Sequence, residues 1–374
     1  MGAVGRIGAA LLAFYSLAYV SAQDLRVGGS STLYPASAEF AAQLSEALPA
    51  GHIEASFAGT GGGFELFCKG AIEIVGASRL ATDDEERACR ENGVEYLVFP
   101  VALDAVVLVV PEDNEWVECL TVAEVRRLWS GGPEQVETWS DLRSEWPDQE
   151  IAFYAPGVAS GTYDYWKRKV LGSDTTMRTD YFPSEDDRRL AQLTASHPAA
   201  VSFFGRPQLE LAGSGLRAVP IDNGDGCVDP DSTGSVLTRW PFLRPLFLYV
   251  AAGAAGADSE VLRPLVSFVD TFLSEAGQER LLDMGYLQLG DRLRGDSARR
   301  FATRVTGPLD ADYDGQAILR QLPGGWSSRQ VDLDTRLLAL QREIESVGVV
   351  HGRLDTLFEG LVEGGGSGDY DPAQ

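Results

Sequence analysis

Histidine is almost missing from this 374-residue chain: His52, His197 and His351 are the complete set. A Ser–His–acid hydrolase therefore has few bases to draw on. His52 precedes a strand-like run, His197 sits before Pro198 in a loop, and His351 falls in a leucine-rich C-terminal stretch, so each reads as structural or exposed. Basic residues are outnumbered, 31 Lys and Arg against 55 Asp and Glu, giving a formal charge of −24. That balance argues against nucleic acid or anionic lipid as a partner, while a small anion held by local donors stays admissible. The four cysteines lack CxxC spacing, and no His or Cys cluster has metal-ligand spacing, so no metal and no cofactor is expected. The nucleotide loop GxxxxGK[ST] and the GxSxG elbow are both absent.

What is present begins with an export signal. Arg6 supplies a positive start, the run "IGAALLAFYSLAYV" an apolar centre, and Val20-Ser21-Ala22 a small-residue cleavage site, so residues 1–22 read as a signal peptide. The apolar run is short for a membrane span, and no cysteine follows it closely, so a lipid-anchored N-terminus is not expected. Loss of Arg6 takes the mature charge from −24 to −25. An exported chain meets an oxidising compartment, so two disulfides are expected. Four cysteines allow three connectivities; Cys68 with Cys89 and Cys119 with Cys227 is the pairing preferred here.

Beyond the signal, strand-like and helix-like runs alternate, which implies an α/β sheet protein with ligands bound at the carboxyl ends of strands. "TDDEERACRENG" reads as a helix with an acidic first turn and Gly93 as its stop, and "TVAE" as a capping box. "EYLVFPVALDAVVLVVP" is a long β-rich run, and "SEVLRPLVSFVDTFLSEAGQERLLDMG" one or two helices. From about Arg300 the periodicity fades, so residues 300–330 read as a linker. Over residues 331–362, Leu333, Leu337, Leu340, Ile344, Val347, His351, Leu354, Phe358 and Leu361 recur at alternating spacings of four and three, a heptad seam weakened by Gly348, Gly352 and Gly360. Residues 363–374 read as a disordered tail.

Three strand-to-helix turns share one chemistry. "VGGSSTLYP" places Ser31, Thr32 and Leu33 at a helix start, "AGTGGGF" places Thr60 and Gly61, and "VASGTYDYW" places Ser160, Gly161 and Thr162. Any one of them is ordinarily a helix cap. Three after strands point to convergence on one crevice, where free N–H groups and hydroxyls face an anion. "GASR" adds Ser78 and Arg79 at another strand end, and a guanidinium is a good fork for oxyanions. The acidic run "SEDDRRL" is either a solvated helix start or the source of a carboxylate, Asp186 or Asp187, that accepts a proton from phosphate and so rejects sulfate.

These motifs, with "FPVALDAVVLVV", "TWSDL", "TDYFPSEDD" and "RPLFLYV", resemble the phosphate-binding proteins of bacterial Pst-type ABC importers, over roughly Leu25 to Leu289. The resemblance implies a two-lobed periplasmic-binding-protein fold, α/β, with a helical appendage added at the C-terminus of this chain. Lobe I would hold residues 24–102 and 247–299, and lobe II residues 103–246. Inorganic phosphate would be clamped between lobes by Ser31, Thr32, Leu33, Thr60, Gly61, Ser78, Arg79, Ser160, Gly161 and Thr162, then delivered to an inner-membrane permease. The chain departs from the family twice: Arg79 stands where many members carry Asp, and Pro156 where many carry Arg. A trade follows as the expectation, with the cation moved to Arg79 and the acceptor to "SEDD". Other readings stay open: another oxyanion such as sulfate or molybdate, an exported phosphatase with Ser160 or Thr32 as nucleophile, or an envelope structural or adhesion protein. The heptad helix would serve self-association or an envelope partner, or pack back on lobe I.

Overall fold

The computed structural model describes residues 24–47, 52–133, 135–172, 175–213, 215–224, 226–230, 239–256 and 261–309. The signal peptide, most of the linker, the heptad helix and the C-terminal tail lie outside the described residues.

The chain opens with β1 (Leu25–Gly29), α1 (Tyr34–Ala47), β2 (Ile53–Ala55), α2 (Gly59–Cys68), β3 (Ile74–Ala77) and α3 (Asp83–Glu91). Then come β4 (Tyr96–Pro111), β5 (Leu120–Thr121), α4 (Val122–Trp129), α5 (Trp139–Leu142), β6 (Ala152–Pro156) and α6 (Gly161–Trp166), which runs on as a π-turn over Lys167–Leu171. β7 (Phe182–Ser184), α7 (Asp187–Ala195), β8 (Ala200–Gly205), α8 (Arg206–Ala212), β9 (Leu216–Ala218), β10 (Ile221–Asp222) and β11 (Cys227–Val228) follow. β12 (Leu243–Ala251) then leads to α9 (Leu262–Leu273), α10 (Glu275–Asp283) and α11 (Asp291–Ala302).

The main sheet runs β2-β1-β3-β12-β4-β8-β6-β7, with β9 also on β4. All sixteen residues of β4 are buried, the pattern of a strand covered on both faces. β4 and β12 pair antiparallel along most of their length and carry the sheet from one lobe to the other. Their register shifts between Leu246 and Phe247, where Pro100 to Ala102 lie opposite. β1, β2 and β3 are parallel on one side, and β6 is parallel to β7 and β8 on the other. Each side has its own aromatic core: Phe40 meets Phe272 at 4.8 Å in the first lobe. In the second, Trp166 stacks on Phe203 at 4.3 Å.

The capping box expected at "TVAE" is present, with Thr121 and Glu124 closing it on α4. Thr82 and Glu85 form a second box on α3, where the sequence pointed to an acidic first turn. Cys68 is bonded to Cys89 and Cys119 to Cys227, the pairing preferred from the sequence. The change of character placed at Arg300 comes too early, because α11 runs on to Ala302. Leu293, Ser297 and Phe301, spaced by four, form its buried face, with Ser297 Oγ donating to the Pro100 carbonyl at 2.8 Å. The chain stays docked after it, the Gly307 N–H donating to the Tyr96 carbonyl at 2.8 Å.

Candidate functional site

The β1–α1 turn places its hydroxyls by a backbone device. Gly29 has φ +114, and a Cβ there would stand 2.7 Å from Val75 Cγ2, so only glycine lets the chain turn this close to β3. Ser30 takes the local work: its Oγ hydrogen-bonds Ser78 Oγ and accepts the Leu33 N–H at 3.3 Å. Ser31 and Thr32 are left to face the other lobe. Ser31 Oγ donates to Asp187 Oδ2 at 3.2 Å, and Thr32 Oγ1 stands 3.2 Å from Thr162 Oγ1. Leu33 is buried and packs its side chain over Gly76.

The other two turns meet across the same seam. α2 has no side-chain cap. Its Thr60 Oγ1 instead accepts the Ser78 N–H at 3.2 Å, and the Gly61 N–H donates to the Ala159 carbonyl at 2.9 Å. Ser160 caps α6, accepting the Thr162 N–H at 3.1 Å. A Cβ on Gly161 would stand 2.9 Å from Ser78 Cβ and 3.0 Å from Thr60 Cβ, so the lobes close to backbone distance here. The structure thus gathers Ser31, Thr32, Thr60, Gly61, Ser78, Ser160, Gly161 and Thr162 around one buried seam.

Two of the expected charges are placed differently. Arg79 does not point its guanidinium at the hydroxyl cluster. It donates to both oxygens of Glu85 at 2.6 and 2.9 Å, to Asp164 at 2.6 Å and to the Leu80 carbonyl at 3.1 Å. A buried guanidinium seeks carboxylates, and two are within reach. Asp186 caps α7 on its own Arg188 N–H at 3.0 Å and stays partly exposed. Asp187 is the buried one of the pair, 1% exposed, with Oδ1 lacking any hydrogen-bond partner. Burial pushes its carboxyl up to about 7, with Asp104 and Glu185 adding to the rise and Ser31 and Arg244 opposing it.

The cation among the hydroxyls is Arg244, which sequence reasoning missed. It lies directly opposite Asp104 in the β4–β12 ladder, and each is 1% exposed or less. Nε and Nη2 donate to Asp104 Oδ2 at 2.9 and 2.8 Å. Nη2 also donates to Thr32 Oγ1 at 3.0 Å and Thr162 Oγ1 at 2.9 Å, one hydroxyl from each lobe. Nη1 is buried without a partner. Asp104 accepts the Arg206 N–H at 3.1 Å as well, and burial pushes its carboxyl up against the pull of Arg244. Tyr286 fixes the turn from behind, donating to the Thr32 carbonyl at 2.7 Å. The signal was available: one Asp and one Arg, each inside a long apolar run, must find each other if both runs are buried.

The site therefore combines hydroxyls, a cation with a free N–H and a carboxylate with a free oxygen, all desolvated. Such a set holds a small oxyanion that offers both acceptor oxygens and a proton. Among the described residues no group of three or more His, Cys, Asp or Glu is placed to hold a metal ion. A cavity of about 900 Å³ on the second lobe is lined by five carboxylates, Glu112, Glu115, Glu118, Glu210 and Asp229, against one cation, Arg217, so its wall is acidic.

The sequence profile of the PBP superfamily domain matches residues 18–275. The chain belongs to the PBP superfamily. Among its PBP relatives, Protein SphX of Synechocystis sp. is 37% identical over 271 residues, covering 72% of this chain and 79% of SphX. The phosphate-binding protein PstS of Staphylococcus haemolyticus is 28% identical over 260 residues, 69% of this chain and 79% of PstS. Among solved structures, a "possible phosphate binding protein" from Planctomyces limnophilus DSM 3776 is 30% identical with a TM-score of 0.53, covering 76% of this chain and 99% of that one. The two-lobed PBP fold expected from the motifs is the fold observed.

Proposed function

We propose that this chain is an exported solute-binding protein that captures inorganic phosphate between its lobes and hands it to an ABC importer permease. The observation that carries the reading is the pair of buried atoms without partners, Arg244 Nη1 and Asp187 Oδ1, in one cluster with Ser31, Thr32 and Thr162. Phosphate at neutral pH has oxygens for the guanidinium and hydroxyls and carries a proton for the carboxylate. Sulfate has no such proton. Set against ionised Asp187, it leaves a buried acceptor facing an anion, and that mismatch costs affinity.

In this reading lobe I spans residues 24–102 and 247–299 and lobe II residues 103–246. The trade of charges is completed by Arg244 and Asp187, with Arg79 and Asp186 outside the ligand shell. Ser160, Gly161 and Thr162 bring lobe II to the anion, and Ser78 and Thr60 fix the floor of lobe I. The protein binds and releases without chemistry of its own. No described helix is long and apolar enough to cross a membrane. Residues 1–22 would direct export, and the phosphate relatives support the importer as partner.

The test is calorimetric titration of the chain, freed of ligand by unfolding and refolding, with phosphate and separately with sulfate at pH 7.5. One-to-one phosphate binding with sulfate silent is expected. Binding of sulfate with phosphate silent would replace the ligand class, and silence from both would remove the transport reading.

A further inference from the structure

Arg79 is a cation that the anion site does not use, buried where the lobes meet. Three of its contacts belong to its own lobe. Glu85 takes it with both oxygens, the Leu80 carbonyl accepts Nη1, and the Phe64 ring lies 5.9 Å beneath the guanidinium carbon. Glu85 is itself fixed, because its Oε2 closes the capping box on the Thr82 N–H at 2.8 Å. The guanidinium is therefore held in one orientation whether or not the second lobe is near. Its Nε–H points across the seam to Asp164 of α6 at 2.6 Å.

We propose that Arg79 and Asp164 form an interlobe latch that sets how long the closed lobes hold their anion. The proposal rests on the phosphate reading above for its ligand, and on the fold alone for its motion. Lobe separation breaks the Arg79–Asp164 bond, while the contacts of Arg79 within lobe I remain. A bond present in one state only shifts the equilibrium toward that state, and by linkage it lowers the dissociation constant of any ligand that needs closure. The latch is preorganised, since α3 holds the donor before the lobes meet, so little side-chain entropy is lost on closing. The side chain of Arg79 is 6% exposed and that of Asp164 is 34%, so the pair is partly shielded from solvent screening. Next to it the Gly61 N–H donates to the Ala159 carbonyl, a second closure contact made from backbone alone. Arg79 is thus a positioning residue: it touches no ligand, and the anion senses it through the lobe angle.

The experiment compares full-length wild type, Asp164→Asn and Asp164→Glu, each refolded free of ligand. Phosphate association and dissociation are followed by stopped flow. Interlobe distances without ligand are read by double electron–electron resonance between spin labels, one on each lobe. Asp164→Asn is expected to raise the dissociation rate about tenfold with the association rate nearly unchanged, and to lengthen the interlobe distance. Asp164→Glu keeps the charge and should recover part of both effects, which a general loss of stability would not do. A wild-type dissociation rate together with a wild-type distance distribution in Asp164→Asn overturns the latch. If wild type binds no phosphate, the functional reading fails, and the ligand-free distances still decide the latch. Should Asp164→Asn fail to fold, Asp164→Ser is read in the same two ways.

Discussion

Two buried atoms, Arg244 Nη1 and Asp187 Oδ1, lack partners beside the bonded hydroxyls of Ser31, Thr32 and Thr162, and the proposed binding turns on them. Arg244→Lys keeps the charge opposite Asp104 but loses the fork that reaches both threonines. Phosphate binding should weaken by about 1.5–3 kcal/mol, as for other lost hydrogen bonds to charged groups, which calorimetry would register. Asp187 makes a pH prediction. Its folded value near 7 stands above the ordinary aspartate value, so the neutral form suits the folded chain. The sign is that of a raised group: its contribution is complete below about pH 4 and is lost as pH climbs through 7, up to about 4 kcal/mol. Melting temperature of the ligand-free chain should therefore fall between pH 5 and pH 8, and fall less in Asp187→Asn. The sequence singled out the run that holds Asp187 but could not choose within it, since burial distinguishes Asp187 from Asp186 and neighbouring residues in a run look alike. Arg244 was legible only as an isolated charge in an apolar run, and its ladder partner Asp104 lies 140 positions away.

Among the elements, caps and strand runs were readable because their causes are local. Thr82 with Glu85 and Thr121 with Glu124 sit at the spacing a capping box demands, and both boxes are made. α11 was passed over because Gly295 lowers its propensity and its buried face is only Leu293, Ser297 and Phe301. That face is defined by β4, which lies nearly two hundred residues earlier, as the Ser297–Pro100 bond shows. One close contact between the lobes is the start of α6 against the end of β3 and the start of α2. Gly161→Ala would drive a Cβ toward Ser78 and Thr60 of the facing lobe. The expected result is weaker phosphate binding by about 1–3 kcal/mol, from hindered closure, with little change in the melting of the ligand-free chain. Equal affinity in wild type and variant would show that the lobes do not need this approach.

The whole molecule is two lobes hung on β4 and β12, with one disulfide in each. Cys68–Cys89 closes 21 residues between α2 and α3, and Cys119–Cys227 closes 108 residues across the second lobe. Chain-entropy arguments give the longer loop the larger effect, about 5 kcal/mol against about 3. Removing Cys119 and Cys227 by serine substitution should lower the second lobe's unfolding midpoint more than removing Cys68 and Cys89 lowers the first. Differential scanning calorimetry would resolve the two. The α/β class was legible because alternation of strands and helices is a property of the chain, while the two lobes came only as what the family resemblance implied. The contact of Arg79 with Asp164 across the lobes was not legible, since it forms only when distant surfaces meet. Whether a proton-bearing oxyanion sits between Arg244 and Asp187 is decided by a crystal structure with phosphate. Tetrahedral density is expected within hydrogen-bond distance of Arg244 Nη1, Thr32, Thr162 and Asp187 Oδ1. Phosphate held by Arg79, or lying where Asp187 cannot reach it, would contradict the account.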